Sequence, residues 1–437
     1  MVNELMVRSF KSFFIILLAG AIIAARLIQL EVPVDQIYYF SGYYCFAVMV
    51  FAISILRFGD FINPLSVYSI FIFLLSYSFV RFANTQSEYY FKTRLILNLS
   101  ILTYVCFALV DYKVVPVAVM RFTSRVRRNI LTGVVVAAFC TFLAECALFG
   151  YIPILNITSQ DVYIETNAKL IPFLHYFIVL CAFVPTWGYL LYKQGDMSKK
   201  RMYLLNAVTF FILLNYLSRQ LYLLGGICFL LAYMFYNRVN FRKLLRTGIA
   251  IVFMFLFMGY LKFNSDTTDS FSHFMRLVAG IDNENVSLVE STFTEYSSKR
   301  FTALDNMVIY KDNNNYTGYG IYTFRPLLSL FLLEKTGVIE KKEELDSEKN
   351  VGTYVIDPYL DYGLLGTVIL NALYAFLSVR YYKQYKGKYS EGVVKFGIIM
   401  FCLIMGMFVN YFNTMLIWMG FVFNKFIIYG KVEAEPN

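Results

Sequence analysis

The chain has 437 residues, 59% hydrophobic and only 16% charged, whereas soluble domains carry roughly a quarter charged residues. The deficit, with long apolar runs recurring along the chain, excludes an ordinary soluble enzyme and places the chain among proteins that cross a membrane many times. The net charge of +10 does not point to nucleic acid, because the basic residues are gathered between apolar runs, the pattern that retains loops in the cytoplasm.

Twelve apolar runs follow in order. They are Phe13–Leu30, Ile37–Leu56, Phe61–Val80, Leu95–Val110, Ile130–Phe149, Leu170–Tyr192, Tyr203–Leu217, Leu221–Tyr236, Leu244–Leu261, Pro358–Val379, Phe396–Val409 and Met415–Ile428. Several are shorter than the ~20 residues a spanning helix needs, so their ends are expected to extend into flanking Tyr, Asn and Ser. The splits at Leu217–Leu221 and Val409–Met415 are the weakest, yet the charge alternation requires both. Short basic stretches are read as inter-helix loops: Arg121 with Arg125, Arg127 and Arg128, then Lys193 to Arg201, Arg238 to Arg246 and Arg380 to Lys395. With the N-terminus inside, all of these fall in the cytoplasm, as does the C-terminus. The external loop with Arg81, Lys92 and Arg94 fits this pattern poorly. The first run lacks a small-residue cleavage site and is expected to stay as a helix.

The expected fold is therefore an all-α polytopic integral-membrane bundle of about a dozen spans. Residues 1–262 hold helices 1–9, residues 263–350 form one large external loop, and residues 351–437 hold helices 10–12. Seven cysteines all lie in apolar runs without a CxxC, which makes them buried hydrophobes rather than disulfides or metal ligands. Walker A, HExxH and His-rich clusters are absent from the sequence, so neither a metal nor another cofactor is expected.

The polar loop is where chemistry is expected. Arg300 leads RFTALDNMVIYKDNNNYTGYG, which predicts a short amphipathic helix on the membrane, then a tight turn whose Gly318 and Gly320 let backbone approach a ligand. Arg325 precedes Pro326 in Tyr319–Leu333, an apolar stretch too short to span and expected to be re-entrant or interfacial. His273 and Arg276 stand near the start of the loop, and the KKEELDSEKN stretch near its end is a solvated charged surface. Arg219, in a short external turn, is either a snorkelling helix anchor or a phosphate clamp. Asp357 and Asp361 lie at the mouth of the tenth helix beside Tyr354. They suit either a general base or acids that complement a helix dipole. Glu145 and Arg26, inside apolar runs, are expected to face the bundle interior and pair with a neighbour. His175 lacks a supporting motif.

Three features resemble bacterial O-antigen polymerases of the Wzy type and, more distantly, O-antigen ligases. These are the dozen spans with a large loop between the ninth and tenth, the run from Arg300 through NYTGYGIYTF, and DPYLDYGLLG entering the tenth helix. FGYIPIL from Phe149, NPLSVYS from Asn63 and RQLYL from Arg219 are also similar to family segments. The resemblance implies a glycosyltransferase-C-like bundle in the bacterial cytoplasmic membrane with its active site facing outside. It implies a polymerase that transfers a growing chain from undecaprenyl pyrophosphate onto a new lipid-linked repeat unit, for O-antigen, capsule or exopolysaccharide. Arg219 and Arg300 are implied to hold the pyrophosphate, with Arg325, Gly318 and Gly320 lining the substrate. Asp357 or Tyr354 would take the acceptor proton. The histidine that ligases place before the last GxxG helix is missing near Gly352, Thr353 and Tyr354, which favours polymerase over ligase. A lipid-linked oligosaccharide flippase is the other alternative. The implied partners are lipid-linked donor and acceptor, membrane lipids and a chain-length regulator protein.

Overall fold

A computed structural model describes residues 36–82, 91–112, 122–156, 169–216, 218–237, 242, 246–250, 253, 299–330, 345 and 352–430. Most of the first and ninth runs, residues 263–298 and residues 331–351 apart from Leu345 lie outside this set, and with them His273, Arg276, Arg26 and KKEELDSEKN. Among the described residues the chain is all helical. Five helices are long and apolar enough to cross a membrane: Phe91–Leu109, Ser124–Phe149, His175–Lys193, Arg219–Tyr236 and Ile356–Lys386.

The other ten apolar runs each fall on one described helix. In order the helices are α1 (Gln36–Phe58), α2 (Pro64–Phe82), α3 (Phe91–Leu109), α4 (Ser124–Phe149), α5 (His175–Lys193), α6 (Lys199–Tyr216) and α7 (Arg219–Tyr236). After these come α8 (Lys299–Asn313), α9 (Arg325–Leu330), α10 (Ile356–Lys386), α11 (Ser390–Met405) and α12 (Met415–Ile427). Both weak splits are breaks between helices. α6 ends at Tyr216 and α7 begins at Arg219, and a 3-10 turn at Tyr411–Asn413 separates α11 from α12.

The chain packs as two compact units, each assembled from segments distant in sequence. The first comprises Met1–Lys113, Val278–Arg380 and Cys402–Asn413, and the second comprises Val114–Leu277, Tyr381–Phe401 and Thr414–Asn437. The described part of the long loop belongs to the first unit because its helix α8 buries an apolar face there. Phe301, Leu304 and Val308, with Ala303 and Met307, are all nearly inaccessible, at helical spacing.

In the first unit, α1 and α2 form a hairpin whose turn is written in the sequence. Gly59, at φ 65°, closes α1 with its N–H on the Ile55 carbonyl. Asn63 caps α2: its Oδ1 accepts from the Ser66 N–H at 2.9 Å while Ser66 Oγ accepts from the Asn63 N–H at 3.1 Å. Pro64 then takes the first helical position, where no N–H is needed.

In the second unit, α4 starts earlier than its apolar run. Thr123 caps it, so Arg125, Arg127 and Arg128 are helical and not loop residues. Arg127 is buried, pairs with Asp196, donates to Gln194 Oε1 at 2.9 Å and stacks over the Tyr429 ring at 4.2 Å. A cation at a helix N-terminus opposes the dipole, and the Asp196 carboxylate offsets that cost. α5 is interrupted by a 3-10 step at Cys181–Phe183, followed by Pro185. The outward faces of α4 (Val136, Phe139, Leu143) and α10 (Leu365, Ile369, Leu373) are exposed and apolar at helical spacing, as a lipid-facing surface requires. All seven cysteines are free thiols.

Candidate functional site

In the first unit, α8, the loop after it and the start of α10 form one locked assembly. Gly352 packs against Leu304, and Tyr359 donates to Asp312 at 3.0 Å, so residues 352–360 run alongside α8 in the same direction. Lys311 ties the two together, its ammonium donating to the Tyr316 carbonyl at 2.6 Å and the Leu360 carbonyl at 2.9 Å. Burial lowers the Lys311 pKa below the usual lysine value, and the nearby Asp361 and Asp312 charges oppose that shift.

The glycine loop is shaped by α10. Asp361 accepts from the Tyr322 N–H at 3.2 Å and from the N–H and hydroxyl of Thr323, each at 2.6 Å. The Gly318 N–H donates to the Leu360 carbonyl at 3.0 Å. A Cβ on Gly318 would overlap the Asp361 carboxylate, and one on Gly320 would lie 2.5 Å from the Tyr362 hydroxyl. Gly320 also holds φ at +92°. Both glycines thus permit a close approach to the first turns of α10. Between them Tyr319, at φ 50°, is 85% exposed.

α10 begins at Ile356, not Pro358, and bends at Gly363, where φ is 65° and ψ −152°. Asp357 and Asp361 sit four residues apart in the turns before that bend. Asp357 is buried in the first turn, with Asn413 Nδ2 at 3.5 Å, the long limit for a hydrogen bond. Tyr354 is nearly inaccessible. Its hydroxyl is shared with Tyr68 at 2.7 Å and Asn371 at 2.8 Å, and its N–H donates to the Gly406 carbonyl at 2.9 Å. The hydroxyl and the N–H of Tyr354 thus both take part in hydrogen bonds inside the first unit. Arg300 is half-buried in the first turn of α8, about 20 Å along the helix from the turn that leads to the glycines. Arg325 is exposed at the start of α9, whose second residue is Pro326. The structure thus brings Gly318, Gly320 and Asp361 together, places Asp357 one turn away, and sets Arg300 at the far end of α8.

Arg219 belongs to the second unit. It is half-buried at the first position of α7. An apolar groove of about 480 Å³, whose lining begins two residues after Arg219, runs along α7 from Leu221 to Phe229, walled by Pro185 of α5 and by Phe210 and Leu213 of α6. That stretch of α7 is about 12 Å long. Gly225 makes the groove's close floor, since a Cβ there would meet the Ala182 carbonyl at 2.7 Å.

The same unit holds a cluster that sequence reasoning did not assemble. Glu145 of α4 is fully buried. Its carboxylate accepts from the Ile171 N–H at 3.0 Å and from the Tyr216 hydroxyl, and both its oxygens lie 3.2 Å from His175 Nδ1. The His175 and Tyr216 rings meet edge to face at 5.2 Å. The available signal was an acid inside an apolar run, and the expectation that Glu145 pairs within the bundle holds. No family model, curated protein or solved structure matches this chain.

Proposed function

We propose that this chain polymerises oligosaccharide repeat units carried on undecaprenyl pyrophosphate, working at the outer face of a bacterial cytoplasmic membrane. On this reading its runs make about a dozen spans of a glycosyltransferase-C-like bundle. The observation that carries the proposal is the apolar groove along α7, a helix of membrane-spanning length that begins with Arg219 two residues before the groove's first lining residue, Leu221. A guanidinium near an apolar channel suits a lipid whose head is a pyrophosphate and whose tail is an isoprenoid. Arg300, in the first unit, is kept from the resemblance as an arginine that the reaction needs, tested separately from Arg219. Arginines stabilise charge as it builds on the departing pyrophosphate, so their effect is greatest in the transition state. A chain-length regulator protein is the protein partner expected of such a polymerase.

Deletion of the gene in its host, followed by electrophoresis of the surface glycan, tests this reading. Caps of a single repeat unit support a polymerase. A second reading, a flippase for the same lipid-linked oligosaccharide, is favoured by the buried Glu145 carboxylate paired with His175, since a transporter needs charges inside its bundle. Loss of all surface glycan on deletion would select it.

A further inference from the structure

The proposed reaction leaves Glu145 and His175 without a task. A carboxylate inside a membrane-length helix is costly to keep, and packing alone is served as well by an apolar residue. Here it is retained, fully buried, and saturated by the donors Ile171 N–H, Tyr216 hydroxyl and His175 Nδ1. The carboxylate side accepts, so the ring proton of a neutral His175 sits on Nδ1. Nε2 then keeps its lone pair. Among the described residues Nε2 has no hydrogen-bond partner, and the side chain is 21% exposed. Tyr216 holds the carboxylate and presses its ring against the imidazole, which fixes the plane in which that lone pair points. Arg219 follows Tyr216 by three residues, which keeps their Cα atoms within about 10 Å.

We infer that His175, oriented by Glu145 and Tyr216, is the general base that activates the acceptor sugar in the second unit. The inference rests on the polymerase reading and names its missing base. The acceptor hydroxyl gives its proton to Nε2 of His175. The freed oxygen electron pair forms the new bond to the anomeric carbon of the donor. The bond from that carbon to the pyrophosphate oxygen breaks, and its electron pair leaves with undecaprenyl pyrophosphate. The imidazolium, stabilised by Glu145, then returns its proton to water. This is the division of labour of a histidine base held by a carboxylate, in which only the histidine touches the reacting group. Glu145 and Tyr216 are positioning residues.

The test has two arms. In the host, His175→Gln at wild-type protein level is expected to give single-unit caps, with extended chains reduced at least about a hundredfold. A full ladder from that variant overturns the inference. If gene deletion itself leaves the ladder intact, the polymerase reading fails instead, so the two failures are distinguishable. The second arm does not depend on His175→Gln accumulating. The chain has only two histidines, so His273→Gln protein labelled with nitrogen-15 histidine in nanodiscs reports His175 alone. The neutral ring is expected as the Nδ1–H tautomer, and Glu145→Gln is expected to release it to the tautomer mixture of free histidine. An Nε2–H tautomer in the Glu145 protein contradicts the inference.

Discussion

Thr323 donates twice to Asp361, from its backbone nitrogen and its hydroxyl, each at 2.6 Å. One carboxylate on the first turns of α10 thus fixes the conformation of a loop 38 residues earlier in the chain. Asp361→Ala leaves three buried donors without that acceptor, and each such loss costs about 1–3 kcal/mol. The variant is expected to lower the melting temperature in detergent and to open residues 314–324 to protease. Asp361→Asn keeps one accepting oxygen and is expected to fall between the two. Equal protease resistance in all three proteins would show that the clamp does not hold the loop.

Gly320→Ala meets two obstacles, a positive φ that costs about 1–2 kcal/mol for a residue with a Cβ, and the Tyr362 hydroxyl 2.5 Å from that Cβ. Removing the hydroxyl in Tyr362→Phe is expected to recover part of the lost stability of Gly320→Ala and none of the loss in Gly318→Ala, where the obstacle is Asp361. Thermal unfolding of Tyr362→Phe, the two glycine variants and their two combinations with it measures this. Additive effects at Gly320 and Tyr362 would remove the second obstacle from the explanation.

Asp357→Asn tests what the first-turn acid of α10 does. Asn caps a helix nearly as well as Asp but cannot take a proton. With the base assigned to His175, this variant is expected to retain a near-complete glycan ladder. Single-unit caps at normal protein level would return the base to Asp357.

Arg219→Ala and Arg300→Ala are each expected to stop chain extension while the protein still inserts. The loss of a charge-assisted contact made in the transition state is about 3 kcal/mol, or about a hundredfold in rate. Lysine is expected to rescue poorly, because a point charge lacks the bidentate geometry of guanidinium. The ladder, scored at matched protein level, decides each arginine separately.

Apolar runs and helix-start chemistry were legible before any coordinates. Asn63–Pro64 announces α2 because capping and proline geometry act within one turn. Arg127 was misplaced in a loop because hydropathy marks where a helix is apolar, and α4 begins two turns before that. The glycines of NYTGYG were visible, but what they touch was not. Asp361 and Tyr362 reach them from 42 or 43 residues away, and spacing carries no record of such pairing. The same holds for Glu145, His175 and Tyr216, which span 71 residues and three helices. Each is unremarkable alone, and only packing reveals a histidine held by a buried acid. Tyr354 stands beside the helix-mouth acids in the sequence, but its hydrogen bond to Tyr68, 286 residues distant, is likewise a pairing that spacing does not record.

The central claim is chain extension at the expense of a lipid pyrophosphate bond. Purified protein in liposomes, supplied with undecaprenyl-pyrophosphate-linked repeat units extracted from the deletion strain, tests it most directly by mass spectrometry of the glycans and lipids. The expected result is a series of products of two, three and more units, with one undecaprenyl pyrophosphate released for each new glycosidic bond. Repeat units that stay single, with no undecaprenyl pyrophosphate released, would contradict the account.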